Sequence, residues 1–153
     1  EKFPDEARVL KAAADKGEIL IANHGLTHCI VGEHHPRFWR SNRYYHREFY
    51  DWLSQEIHDD HVKRSQSILE TYFARPIDTF VPPGNIWSYK TYLALKHSSV
   101  RRVISHRYMS DSSEHMDGIQ FIDDTKGWVN IHDRELKLYG REWLKQTVEK
   151  IHS

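Results

Sequence analysis

Twelve of the 153 residues are histidine, the commonest metal ligand and the side chain whose ordinary titration lies nearest neutrality. Position picks out which of them could do chemistry. The first place reads Asn23-His24-Gly25-Leu26-Thr27-His28. Two imidazoles separated by three residues share one face of a helix, or converge on one ion in a tight turn. Zn²⁺ suits such nitrogen ligands, and a catalytic site leaves one position open for water or substrate. Thr27 is placed to hold a ring or a bound oxygen. The plainer alternative is a pair of local polar residues.

The second place reads Thr79-Phe80-Val81-Pro82-Pro83-Gly84-Asn85-Ile86-Trp87-Ser88. A strand ending in Pro-Pro-Gly makes a rigid turn whose amides point in fixed directions, and fixed amides can stabilise an oxyanion. Trp87 is a candidate platform for a sugar ring. The alternative is an ordinary strand-to-helix turn with Trp87 in the core. The third place runs from Gly127 to Leu136, with His132 closing the apolar run Trp128-Val129-Asn130-Ile131. A histidine at a strand end can act as general acid, with Asp133 or another carboxylate orienting it. The alternative is a capped strand end with a surface histidine.

These groups need elements to aim them. Residues 4–16 read as a helix: Pro4 suits the first helical position, Asp5 and Glu6 fall in the first turn, and Gly17 is the stop. Glu18–Ala22 is a short apolar run of strand length. Residues 24–42 carry no clear period and read as a long structured loop. Residues 45–74 form a long helical pattern with Phe49, Trp52, Leu53, Ile57, Val62, Ile68, Leu69, Tyr72 and Phe73 as its apolar stripe, ended by Pro76. Asp59-Asp60 and Lys63-Arg64 fall on its wet side. Residues 78–82 look like a second strand, Tyr89–His97 a short helix, and Arg101–Ser105 a third strand. Residues 106–117 look like loop, Ile119–Ile122 and Trp128–Ile131 like further strands, and Leu136–Ile151 like a closing helix. Strands separated by helices imply an α/β fold with a mostly parallel sheet or barrel. In such folds the active groups sit at the carboxyl ends of the strands, which selects the positions after Asn23, Val81 and Ile131.

Composition narrows the partners. Lys plus Arg number 22 and so do Asp plus Glu, so no electrostatic footprint for nucleic acid or an anionic membrane is present. No apolar run approaches the roughly 20 residues of a membrane span. The single cysteine, Cys29, excludes an internal disulfide. Beside His28 it reads either as a further ligand or as a buried structural thiol. One domain of ordinary size is expected.

Together and in this order, the three segments resemble the polysaccharide deacetylase family, the NodB-homology domain of carbohydrate esterase family four. Glu18 to His28 is similar to its second motif, a strand delivering a His-x-x-x-His metal pair. Phe80-Val81-Pro82-Pro83-Gly84 is similar to its third, and Val129-Asn130-Ile131-His132-Asp133 to its last, which supplies a catalytic histidine. The resemblance implies a distorted (β/α) barrel, a divalent metal such as zinc, and hydrolysis of an N- or O-acetyl group on a cell-envelope polysaccharide or its sugar precursor. His24 and His28 would be ligands, His132 the acid, and the amide of the Pro83–Gly84 turn an oxyanion donor. Two departures stand out. The family's first motif, a strand ending in paired aspartates, has no counterpart: Asp59-Asp60 sits in a helix and Asp123-Asp124 comes late in the order. Val81 stands where the family usually has arginine. The expectation is therefore one incomplete barrel over residues 1–153 that lacks its N-terminal part. Its open edge would invite a second copy. The alternative function is a non-catalytic carbohydrate- or metal-binding relative.

Overall fold

Helix α1, Pro4–Asp15, begins at a proline whose missing N–H costs nothing there and carries Asp5 and Glu6 in its first turn. In this computed structural model, which describes residues 3–27, 48–125 and 127–151, α1 ends at Lys16, and Gly17 turns the chain at φ 75°. The following residues are extended. Ile19 and Ile21 pack against Ala14, Phe73 and Ile77 while Leu20 is exposed, the alternation of an extended segment. The five-residue strand expected over Glu18–Ala22 is nevertheless not formed. Pairing is confined to an isolated parallel bridge between Asn23 and Phe80.

Helix α2, Gln55–Phe73, starts ten residues later than the expected position 45. Residues 45–47 lie outside the described set. Residues 48–54 are not helical, for a readable reason. Glu48, Phe49 and Tyr50 are buried in succession, whereas a helix turns successive side chains by about 100°. Carbonyls of the segment also accept from side chains. Lys90 Nζ donates to Asp51 O at 2.8 Å and to Leu53 O at 2.6 Å, and His58 Nε2 donates to Tyr50 O at 3.0 Å. Ser54, in extended conformation, then opens the helix.

Three short strands form a parallel sheet: β1 (Thr79–Phe80), β2 (Arg102–Ser105) and β3 (Gln120–Asp123), in the order β1-β2-β3. Phe80 lies opposite Val103, and Val103 opposite Phe121. With the bridge at Asn23, one row therefore reads Asn23, Phe80, Val103, Phe121, and every chain in it runs the same way. Between β1 and β2 come a 3₁₀ turn, Pro83–Asn85, and helix α3, Tyr89–Lys96, which Ser88 and Thr91 open with a reciprocal capping box. The main core gathers Phe49, Val62, Phe80, Trp87, Leu95 and Val103 between this sheet and helices α2 and α3.

Trp128–Ile131 is not a strand. Trp128 and Val129 are 49% and 52% exposed and no ladder partner takes up their backbone among the described residues. The chain enters α4, Asp133–Ile151, which is interrupted at Gly140. The described fold is thus α/β with a parallel sheet, and the carboxyl ends of its strands bring Asn23, Val81, Ser105 and Asp123 to one edge.

Candidate functional site

Asn23 is the anchor of this edge. It is fully buried and all its polar groups are used. Its N–H donates to Thr79 O and its carbonyl accepts from Val81 N, both at 2.8 Å. Its side-chain amide donates to Ser65 Oγ and Gln66 Oε1 on α2, and its Oδ1 accepts from Gly25 N, each at 2.9 Å. The last bond closes a turn of the kind Asn favours and aims the next residue outward from the sheet.

His24 is exposed, and its Nδ1 lies 2.7 Å from Val81 O. A carbonyl oxygen only accepts, so the ring proton is on Nδ1 and the lone pair of the neutral ring on Nε2. A backbone acceptor on one nitrogen is the way metal-ligating histidines are oriented through the other. Val81, in the position where the resemblance expects arginine, thus contributes its backbone: N–H to Asn23, carbonyl to His24. His28, the proposed second ligand, and Cys29 lie outside the described residues. Among the described residues, no three His, Cys, Asp or Glu side chains gather as a metal site.

Glu48 holds the turn that follows His24. Fully buried, it accepts from Leu26 N at 2.6 Å, from Thr27 N at 3.2 Å and from Thr27 Oγ1 at 3.3 Å. His61 Nδ1 on α2 donates to the same carboxylate, at the Oε2 that also accepts from Thr27. The Thr27 hydroxyl, expected to hold a ring or a bound oxygen, is turned to this carboxylate. Gly25 is held at φ 83°, and a Cβ there would run into Glu48 Oε1 and Pro83 Cγ. Glycine is therefore required twice over, by conformation and by space.

The Pro-rich turn sits beside it. Pro82 and Pro83 are buried, and Gly84 and Asn85 have φ of 59° and 58°. Asn85 N donates to Pro82 O at 2.9 Å and Ile86 N to Pro83 O at 3.4 Å, which fixes the direction of the amides in this turn, that of Gly84 among them. Trp87 requires a correction. It is fully buried, edge-on to Tyr108 and stacked with Phe121, and its Nε1 donates to Arg107 O at 2.7 Å. An indole enclosed on these sides is a core residue and offers no face to a sugar ring.

His132 requires another. With its strand absent, it stands ahead of α4 with a side chain 72% exposed. Its backbone N–H donates to Glu135 Oε2 at 3.0 Å, and its Nδ1 lies 3.5 Å from the same oxygen. It is a helix-entry residue facing Glu135. Nothing buried orients its ring among the described residues, and the side chain of Asp133 is outside them.

A different histidine stands at a strand end. His106 follows β2, and its Nδ1 is bonded to Asp124 Oδ1 at the end of β3. The late Asp123-Asp124 pair does end a strand at the same edge as His24, but three strand spacings of about 4.8 Å separate them, about 14 Å in all. Asp123 accepts from Thr125 N and Oγ1, and Asp124 faces His106.

Sequence reasoning missed Asn23, Glu48, His61 and the His106–Asp124 pair. One signal was present: His58, His61, Ser65 and Gln66 recur at helical spacing and make up most of the buried face of α2. A polar stripe on a buried face announces polar partners. A groove of about 640 Å³ lies elsewhere, lined by Asp59, Val62, Lys63, Glu70, His97 and Ser99. No helix among the described residues is long and apolar enough to cross a membrane. No family model matches the chain, and no curated protein and no solved structure matches it either.

Proposed function

We propose that this chain carries the ligand side of a metal-dependent deacetylase, of the distorted (β/α)-barrel kind its motifs resemble, acting on N- or O-acetyl groups of a polysaccharide or its sugar precursor. The observation that supports it best is His24. Its ring stands at the carboxyl edge of a parallel sheet with Nδ1–H given to Val81 O at 2.7 Å, which directs Nε2 as a ligand. His28, four residues on, would be the second nitrogen. A zinc ion held there would polarise the acetyl carbonyl and lower the pKa of a bound water. The chain's own contribution is positional. Asn23 and Glu48 fix the two ends of the His24–Thr27 turn, and the Gly84 amide would receive the carbonyl oxygen as charge gathers on it. The resemblance gives the acid role to His132, which stands exposed ahead of α4 and not at a strand end; the leaving amine or alkoxide still needs a proton donor at this edge.

Acetate release and bound zinc, measured on the same samples, test the reading. The wild-type chain is expected to bind zinc and release acetate from an acetylated sugar oligomer, and His24→Ala to lose both. Metal content unchanged in His24→Ala contradicts the ligand assignment. One observation favours the second reading, a non-catalytic carbohydrate- or metal-binding relative: Val81 supplies no charge where an arginine would orient a catalytic carboxylate. Zinc bound without acetate release decides for that reading.

A further inference from the structure

We propose that His106, oriented by Asp124, is the acid–base residue of this edge. The inference rests on the deacetylase reading for its reaction and on the geometry alone for its proton chemistry. His106 is the first residue past β2 and Asp124 the first past β3, so the two meet across neighbouring strand ends. The Asp124 side chain is 7% exposed and the His106 side chain 45%. A buried carboxylate holding one nitrogen of a ring whose other side is open is the arrangement that fixes an imidazole's tautomer and orientation. With Nδ1–H given to Asp124, Nε2 carries the lone pair and is the atom that meets a substrate.

The surroundings hold this pair rigid. Asn85 Oδ1 accepts from Ser105 Oγ at 3.1 Å and from His106 N at 3.2 Å. Arg107 N donates to Ser105 Oγ at 3.3 Å, and Trp87 Nε1 to Arg107 O. On the other side, Asn130 Nδ2 donates to Asp124 Oδ2 at 3.3 Å, and Asp124 N to Ser105 O at 3.4 Å. The turn that fixes the Gly84 amide is therefore the turn that carries His106, through Asn85. This also gives the buried Trp87 a role: it is the strut beneath the histidine.

In the reaction, Nε2 takes a proton from the attacking water as its oxygen bonds to the acetyl carbon. It returns that proton to the sugar nitrogen or oxygen as the bond from that atom to the acetyl carbon breaks. Acetic acid and the free amine or alcohol leave, the acid ionising in solution, and the ring ends as it began.

Two measurements on the full chain test this. In ¹⁵N spectra of the imidazoles, wild-type His106 is expected to carry its proton on Nδ1 at alkaline pH, and Asp124→Asn to lose that preference. A wild-type ring protonated on Nε2 overturns the dyad. In acetate release from an N-acetylglucosamine tetramer with zinc added, His106→Gln and Asp124→Asn are each expected to lower kcat about 100-fold or more, with KM within about 3-fold of wild type. Full activity in His106→Gln, with the loss appearing in His132→Ala instead, overturns the proposal. A wild-type chain that releases no acetate overturns the deacetylase reading, and the dyad then stands or falls on the ring tautomer.

Discussion

Replacing Glu48 with alanine removes the acceptor of four donors at once: Leu26 N, Thr27 N, Thr27 Oγ1 and His61 Nδ1. A buried donor left without a partner costs about 1–3 kcal/mol. The four do not add. Thr27 is exposed and Leu26 half-buried, so water recovers most of what their amides lose. His61 is only 8% exposed and recovers little. The expected loss for Glu48→Ala is therefore about 2–3 kcal/mol, dominated by His61. Glu48→Gln, which keeps one oxygen for Leu26 N but presents an amide NH₂ to the remaining donors, should lose about 1–2 kcal/mol. Against a total stability of about 5–15 kcal/mol, both are large enough to read from urea midpoints, with the buried Trp87 as fluorescent reporter. The decisive measurement is a double-mutant cycle. In a His61→Phe background the loss on Glu48→Ala should shrink by about 1–2 kcal/mol, because the donor that suffers most is gone. A loss below about 1 kcal/mol in the single variant, or the same loss in both backgrounds, would refute the view that this carboxylate ties the His24 turn to α2.

Gly25→Ala should cost about 2–4 kcal/mol, because positive φ is strained for alanine and its methyl meets Glu48 and Pro83. Zinc content should fall with it, and a variant as stable as wild type in urea would contradict the close approach. Fully buried His58 should make the fold acid-sensitive. Burial holds its pKa below the ordinary imidazole value, against the opposing bond to Tyr50 O. The unfolded chain therefore binds the proton first, so the stabilisation is complete above about pH 6.5 and is lost as the pH falls through the lower folded value. Denaturation midpoints taken between about pH 5 and about pH 8 should show that slope, and His58→Gln should flatten it. An equal slope in the variant would place the acid sensitivity elsewhere.

How much of this was legible in the sequence depended on whether a feature announces itself locally. Pro4 and Gly17 bound α1 because backbone constraint is a property of single residues. The Pro-Pro-Gly turn and the short helix after it were readable for the same reason. The α/β alternation put Asn23 and Val81 at the ends of parallel segments, and the structure has them there, Asn23 bridged to Phe80 and Val81 following β1. What failed was inference from apolarity. Trp128–Ile131 has the composition of a strand, but a strand also needs a neighbour to bond, and composition does not supply one. Phe49, Trp52 and Leu53 fit a helical period, yet their segment is fixed by Lys90 and His58 reaching its carbonyls from residues far along the chain. His132 lost the strand end it was expected to occupy, and with it the element that was to aim its ring.

The polar interior explains the remaining misses and the organisation of the edge. Asn23, Glu48, His61, Ser65 and Gln66 are all buried, where each polar group costs free energy unless bonded. Their sequence signature is only a run of hydrophilic residues, which on its own suggests surface. Closed into a network, they do what an apolar core cannot. Asn23 spends two backbone and three side-chain bonds to fix where the His24 turn begins, and Glu48 fixes where it continues. Hydrophobic contact is non-directional and would hold the same segments together without setting the angle of a ring. Directional bonds aimed from α2 set that angle, and the same logic, in Asn85, Ser105 and Asp124, sets the ring of His106. If the edge is catalytic, substitutions in this buried network should therefore damage chemistry before they damage the fold. Apolar substitutions in the Phe80–Val103 core should act in the opposite order, a contrast that kcat and urea midpoints measured on one variant set would expose.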